Sequence, residues 1–387
     1  MVSPACSIEV DAPVELGRRF KVADLRSGVV RRSGLRVAWT RRRRRVVTFE
    51  PRTTDHPNDL SGMTICFIGF ICFICFICFI CFICFIGLGL MGQPMATNLH
   101  QAGAALVIPR RASDAVADLG NDRVEVLETP AEIGRAADLV ILMLPTAKAV
   151  ESVCLGSDGL ISAMGSGKLV MDMGTTDGKT TLAVAERLRE AHSAFVDAPV
   201  TGGRVGATNG KLTIFVGADS SEDYDRVAPA LAVMGGNVTR IGPVGSGQAA
   251  KVINQLINFS TQVVVAEGIA LARRSGLDLN TLIPALAGGA ADSVVLQILG
   301  PRMAANDWTF TAHIEIAVND MDIVLHAAKT RGMELKLAEL VRVRWSDAEK
   351  AIGAEHDIAE IVRLVDPDFS GGGWHGGGDA FGSATAE

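Results

Sequence analysis

The stretch that most constrains this chain is Gly87-Leu88-Gly89-Leu90-Met91-Gly92, three glycines in the order G-x-G-x-x-G. It follows an apolar run able to form a buried strand and leads into Gln93-Pro94-Met95-Ala96-Thr97-Asn98-Leu99, which reads as a helix. At a strand-to-helix junction the first glycine permits a tight turn and the second lets backbone N–H groups approach a pyrophosphate. The third lets the helix pack close to the strand. Phosphates would then sit on the positive end of that helix. Glycine makes up 41 of 387 residues, so the pattern alone is weak and the rest of the chain must decide.

Downstream, Ala104-Ala105-Leu106-Val107-Ile108 predicts a second strand. About 20 residues past the glycines, an acid would hold a ribose 2′-OH and an arginine would accommodate a 2′-phosphate. Pro109-Arg110-Arg111-Ala112 occupies that place, which favours NADP over NAD; Asp114, two residues on, reads as a first-turn helix charge behind Ser113. Runs at Asp138–Pro145 and Lys168–Thr176 predict further buried strands, alternating with helical stretches such as Thr180 to Arg189. The alternation predicts parallel βαβ units. Ala194–Val200 and Leu212–Gly217 are two more strand-like runs, with Thr201-Gly202-Gly203-Arg204-Val205-Gly206-Ala207 between them.

From Gly247 the pattern changes to helices: Gln248 to Arg274, Asn280 to Leu299, Glu315 to Arg331 and Leu335 to Ile352. Lys251, Asn254 and Asn258 share one face of the first of these. The expected fold is therefore α/β, a Rossmann-type domain with a mainly parallel sheet over 82–242. An all-α domain over 243–365 follows, led by a long interdomain helix. Residues 366–387 are Gly-rich and read as a flexible tail.

Charge is unevenly spread. Residues 1–62 hold 13 Lys/Arg against 7 Asp/Glu, with Arg41 to Arg45 in a row, while the remainder holds 24 against 36. The acidic body argues against a nucleic-acid partner, and the basic leader reads as disordered. Of eight cysteines, Cys66 opens a triplet repeat, Cys72, Cys75, Cys78, Cys81 and Cys84 follow inside it, and only Cys6 and Cys154 stand apart, the usage of a reducing compartment. That repeat, Cys-Phe-Ile from Cys66 to Ile86 with Gly69 once replacing Cys, admits three readings. Ile65 to Ile86 is long enough for a membrane span. The recurring C-x-x-C suggests a metal site, although no histidine lies nearby. The favoured reading is a tandem expansion within one short strand, because excising Gly69 to Ile86 joins Met63-Thr64-Ile65-Cys66-Phe67-Ile68 directly to the glycine loop. The last copies then serve as the first strand.

Four motifs appear in order: Gly87 through Leu99; Met143-Leu144-Pro145; Asp197-Ala198-Pro199-Val200-Thr201-Gly202-Gly203; and Gly245-Ser246-Gly247-Gln248-Ala249-Ala250-Lys251-Val252-Ile253-Asn254. Together they resemble the β-hydroxyacid dehydrogenase family, which includes 3-hydroxyisobutyrate dehydrogenase and tartronate semialdehyde (2-hydroxy-3-oxopropionate) reductase, over about Met63 to Val365. The resemblance implies hydride transfer between NADP or NAD and a small 3-hydroxy acid or semialdehyde. It makes Lys251 the proton-transferring residue and Asn254 its partner at the substrate. It also implies that Thr201, Gly202 and Gly203 hold the substrate carboxylate, and that Gly87, Leu88, Gly89, Leu90, Met91, Gly92, Leu144, Pro145 and Thr175 contact the cofactor. Arg110 and Arg111 would receive a 2′-phosphate.

The chain departs from the family pattern at Gly174, where serine is usual, and at Asn319, where a cofactor-reaching lysine is usual. Thr201 stands in a serine position, and Ala149 stands where close 3-hydroxyisobutyrate enzymes often carry asparagine. No metal is expected: His56, His100, His192, His313, His326, His356 and His375 show no paired ligand spacing. Self-association as a dimer or tetramer through the helical domain is expected, with a cytoplasmic location or, alternatively, anchoring to a membrane through residues 65–86. A nucleotide-binding scaffold without catalysis is the other reading, and the presence of Lys251 argues against it.

Overall fold

The structure is a computed structural model of the 387-residue chain. It describes residues 83–110 and 123–369, Ala112 and Asp114, and three short N-terminal strands. Those strands, β1 (Glu9–Val10), β2 (Val29–Arg32) and β3 (Leu35–Ala38), form an antiparallel sheet in the order β1-β3-β2 within a separate unit, residues 1–68. The rest of the leader, most of the triplet repeat and the tail beyond Phe369 lie outside the described residues.

The second unit is built on a nine-stranded sheet. Strand β4 (Ile83–Ile86) is the last of the Cys-Phe-Ile run, and all four of its residues are buried. The final residues of the candidate membrane span are thus strand rather than helix, while residues 65–82 lie outside the described residues. Among the described residues no helix is long and apolar enough to cross a membrane.

Helix α1 (Gly92–Gln101) leads to β5 (Leu106–Pro109) and β6 (Val124–Leu127) on one side of β4. The chain then crosses through α2 (Pro130–Ala136) to β7 (Leu139–Leu142), which lies against the other side of β4. Helix α3 (Ala147–Leu155), β8 (Leu169–Asp172), α4 (Gly178–Glu190) and β9 (Ala194–Asp197) continue outward. The parallel order β6-β5-β4-β7-β8-β9 is doubly wound, with its reversal of direction at β4/β7. Such strands are covered on both faces and therefore read as continuous apolar runs, as Leu139-Val140-Ile141-Leu142 does.

Past β9 the sheet becomes mixed. Strand β10 (Val200–Thr201) leads through α5 (Gly203–Thr208) to β11 (Leu212–Ala218), which pairs antiparallel with both β9 and β10. Helix α6 (Ser221–Met234) and β12 (Gly235–Gly242) close the edge.

The helical half begins with α7 (Ser246–Arg274), 29 residues and about 44 Å long at 1.5 Å per residue. Where one helix is expected over 280–299 there are two, α8 (Leu279–Leu286) and α9 (Val294–Ala304). Gly288 breaks the run at φ +78°, the Asp292 carboxylate accepts the Gly288 N–H at 2.8 Å, and Ser293 caps the new helix through the Leu296 N–H. Helices α10 (Ile314–Lys329), α11 (Lys336–Ala351) and the short α12 (Val362–Val365) pack with α7 around Trp345, which is fully buried and stacks edge-on against Phe259. Burying each such large apolar side chain contributes roughly 1.5–3 kcal/mol. The first residues of the Gly-rich tail are packed: Asp366 is buried and paired with Arg273 and Arg274 at the end of α7.

Candidate active site

The glycine loop has the geometry its three positions demand. Gly87 lies at φ +101°, and a Cβ there would meet the Met143 carbonyl oxygen at 2.1 Å. A Cβ at Gly92 would meet the Gly87 oxygen at 1.8 Å and Phe85 at 2.9 Å, so this glycine lets α1 lie against β4. Gly89 is exposed, and a Cβ there meets nothing within 4 Å. No side chain caps α1 at its N-cap, Met91. An open position at the second glycine beside an uncapped helix start fits a pyrophosphate, which would take up the first-turn N–H groups. Leu88 is buried beneath the loop, and Leu90 and Met91 are half-buried.

The ends of neighbouring strands extend this cradle along one edge. Leu144 is buried beside Gly87, and Pro145 is exposed. A Cβ at Gly174 would meet the Leu144 carbonyl at 2.7 Å, so glycine at this family serine position lets the two loops approach closely. Thr175 is half-buried, whereas Gly174 and Thr176 on either side are buried. On the opposite flank, Arg110 follows β5 and pairs with Glu128 after β6; both side chains are more than half exposed. Arg111 lies outside the described residues. At the usual ~4.8 Å strand spacing, Arg110 and the end of β9 stand on the order of 19 Å apart, room for an extended dinucleotide.

At the β9 end, Asp197 organises the entry to the long helix. Its Oδ1 accepts the Gly245 N–H at 2.7 Å and its Oδ2 the Gln248 N–H at 2.7 Å. Helix α7 has no N-cap side chain of its own, since its N-cap is Gly245 at φ +90°, and Asp197 supplies the cap from 48 residues away. Gly247 is equally constrained, because a Cβ there would meet the Phe215 oxygen at 2.4 Å. Asp172 is the register partner of Asp197 across β8 and β9. It accepts the Gly174 N–H at 3.0 Å and the Thr176 hydroxyl at 2.6 Å. Burial pushes the Asp172 carboxyl up to about 7 and that of Asp197 up to about 6.

Lys251 comes one turn after Gln248 and is only 6% exposed. Its Nζ donates to the Val200 carbonyl at 2.8 Å, which ties it to the strand that ends at Thr201. Burial lowers its ammonium to about 8, and the charge of Asp320 opposes that shift. Asp320 on α10 is itself buried, which raises its carboxyl against the pull of Lys251. It accepts a hydrogen bond from Gln255 Nε2, and Gln255 Oε1 accepts from Asn254 Nδ2 at 2.7 Å. Asn254 is thus linked to Asp320 through Gln255 and does not bond Lys251 directly. Thr201 is half-buried beside this group, and Gly202 and Gly203 are exposed, at φ +123° and φ +60°, backbone conformations that glycine adopts at no steric cost.

The structure therefore gathers Lys251, Asn254 and Thr201–Gly203 at one end of the crevice and the glycine loop, Leu144, Pro145 and Thr175 along it. Asp172, Asp197, Gln248, Gln255 and Asp320 were not assigned roles from sequence. Gln255 carried a signal, since it lies four residues after Lys251 and hence on the same helix face. Asp320 carried another, as an acid inside the apolar face of α10. Among the described residues no cluster could hold a metal.

A doubly wound sheet with a glycine cradle at its switch point and a buried lysine at the domain junction defines a dinucleotide-dependent oxidoreductase. Residues 82–242 match the family described as the NAD binding domain of 6-phosphogluconate dehydrogenase. Residues 245–365 match the family described as NAD-binding of NADP-dependent 3-hydroxyisobutyrate dehydrogenase. The 2-hydroxy-3-oxopropionate reductase of Escherichia coli (strain K12) is 33% identical over 285 residues, 73% of this chain and 96% of that protein. The solved 3-hydroxyisobutyrate dehydrogenase from Salmonella typhimurium is similar at a TM-score of 0.67 and 26% identity, covering 73% of this chain and 99% of that one. For the Mycobacterium tuberculosis 3-hydroxyisobutyrate dehydrogenase solved with L-serine, the values are 0.66, 27%, 74% and 99%. The chain belongs to the β-hydroxyacid dehydrogenase family and is an NAD(P)-dependent 3-hydroxyacid dehydrogenase.

Proposed function

We propose that this enzyme interconverts a small 3-hydroxy acid and its semialdehyde, of the 3-hydroxyisobutyrate or tartronate semialdehyde type, with Lys251 moving the proton. The observation that carries this is the position of Lys251, buried, bonded to the Val200 carbonyl and one residue's reach from the Thr201 turn. Bound nicotinamide would supply or accept the hydride at C4. In the reducing direction the protonated Lys251 donates its proton to the carbonyl oxygen as the alcohol forms; in the oxidising direction the neutral amine receives it. With its ammonium lowered to about 8, both forms are populated near neutral pH. The Thr201 hydroxyl and the backbone N–H groups of Gly202 and Gly203 bind the substrate carboxylate, and Asn254, held by Gln255, orients its hydroxyl end. Leu144, Pro145 and Thr175 line the nicotinamide side, and Arg110 and Arg111 favour NADP by receiving a 2′-phosphate. The test is a panel of small semialdehydes assayed with NADPH and NADH side by side. Turnover of none of them, or turnover unaffected by Lys251→Ala, would overturn the reading.

Self-association is part of the same proposal. Ile253, Ile257, Val264 and Leu271 are each about 60% exposed or more and fall on one stripe of α7, a face that a second copy of the chain would cover. Replacing Ile257 and Val264 by Asp should reduce the mass measured by light scattering to that of a monomer; an unchanged mass rules out this face.

A further inference from the structure

Gln248 sits in the first turn of α7 and is 1% exposed. Its side-chain amide spans two backbone groups of another segment: Nε2 donates to the Gly174 carbonyl at 2.9 Å, and Oε1 accepts the Thr176 N–H at 3.1 Å. These two groups flank Thr175. The orientation of the amide follows from its partners, because a flipped side chain would set oxygen against oxygen and N–H against N–H. Its backbone N–H is engaged too, by Asp197. From below, Asp172 grips the same loop through the Gly174 N–H and the Thr176 hydroxyl. The loop is fixed at both residues around Thr175, and Thr175 remains half-buried at the crevice. Three residues after Gln248, about one turn further along the same helix, comes Lys251.

A buried glutamine needs a donor and an acceptor, and any pair would satisfy it. Here the pair brackets a single residue of the cofactor-lining loop, and the glutamine's own helix carries the buried lysine. We propose that Gln248 is a positioning residue that locks the Thr175 loop to the turn of helix bearing Lys251, so that the nicotinamide side and the proton-transferring side of the site move as one body. The proposal rests on the reading of Thr175 and Lys251 given above.

The test is a double-mutant cycle in the full-length protein between Gln248→Met, which keeps length and removes both amide bonds, and Thr175→Ala. NADPH affinity is read by fluorescence titration, and turnover is read with reduced cofactor deuterated at C4. Gln248→Met should weaken NADPH binding and lower kcat by about 10- to 100-fold, as expected for a reacting centre displaced by about an ångström. It should also raise the primary isotope effect by making hydride transfer more rate-limiting. The two substitutions should be non-additive in NADPH affinity, the double variant binding no worse than the weaker single. A loss of folded protein alone lowers kcat without changing either affinity or isotope effect, so it is read separately by thermal midpoint. Gln248→Met with wild-type affinity and isotope effect, or losses that multiply with Thr175→Ala, overturns the proposal. If Thr175→Ala binds NADPH and turns over normally, the cofactor-facing role of Thr175 fails instead, and the proposal then stands or falls on the isotope effect of Gln248→Met.

Discussion

Lys251 donates to the Val200 carbonyl at 2.8 Å, so the residue proposed to move the proton is anchored to the segment that leads into the proposed substrate turn. Lys251→Met should retain NADPH binding and the wild-type thermal midpoint while lowering kcat by roughly 100- to 10,000-fold. In wild type the pH dependence follows from the lowered ammonium, about 8. On the proposed mechanism semialdehyde reduction requires the protonated form, so its rate should hold below that pH and fall above it, and hydroxy-acid oxidation should rise through the same range. Initial rates in both directions across pH 6–10 check the sign.

The charge of Asp320 raises Lys251, against the lowering effect of burial. Asp320→Asn keeps an oxygen for Gln255 and removes the charge. Lys251 should then lose its proton at lower pH, and the descending limb of the reduction profile should move in the acid direction. A limb that stays in place shows that Asp320 does not act on Lys251.

Asp172 and Asp197 make stability depend on pH in the opposite sense from ordinary paired carboxylates. Both carboxyls are raised by burial above the usual 3.8, to about 7 and about 6, so the folded state holds these protons more tightly than the unfolded state. Their contribution is most favourable below about pH 4 and is lost as pH rises through 6 to 7. Asp172→Asn, which can still accept from Gly174 and donate to the Thr176 hydroxyl, should therefore gain thermal midpoint relative to wild type at pH 8 and lose that advantage at pH 5. Melting curves at the two pH values decide it; a constant difference contradicts the argument.

The three glycines should separate by phenotype. Gly92→Ala places a methyl against the Gly87 carbonyl and should unfold or strongly destabilise the unit, whereas Gly89→Ala points into open space and should leave the thermal midpoint unchanged. The Gly89 variant should instead lose NADPH affinity, because the methyl would stand where a pyrophosphate is proposed to approach. Equal melting behaviour for the two would show that the loop does not pack as described.

The parallel sheet was legible in the sequence because strands covered on both faces read as apolar runs, as Leu139–Leu142 and Leu169-Val170-Met171 do. The break between α8 and α9 was not, since the apolar periodicity continues past Gly288 while the turn depends on Asp292 and Ser293 closing backbone bonds. Within the site, Lys251 and the Thr201 turn could be found from ordered motifs. The roles of Asp197 and Gln248 could not, because each acts on backbone groups 48 to 74 residues away, and no local pattern records which strand end will face a helix start. Arg110 shows a further limit: its pairing with Glu128 depends on β5 and β6 lying side by side, which no local pattern records.

Strand β4 has a consequence for inheritance as well as for folding. Its four residues, Ile83-Cys84-Phe85-Ile86, are identical to Ile65-Cys66-Phe67-Ile68, and all four are buried, so the sheet has no solvent face by which to tell one copy from another. Slippage during replication that adds or removes whole triplets would therefore deliver the same tetrapeptide to the same place before Gly87. Length variants of this gene that differ only in triplet number should yield enzymes with one melting temperature and one turnover rate, and selection on the catalytic unit would not count the copies.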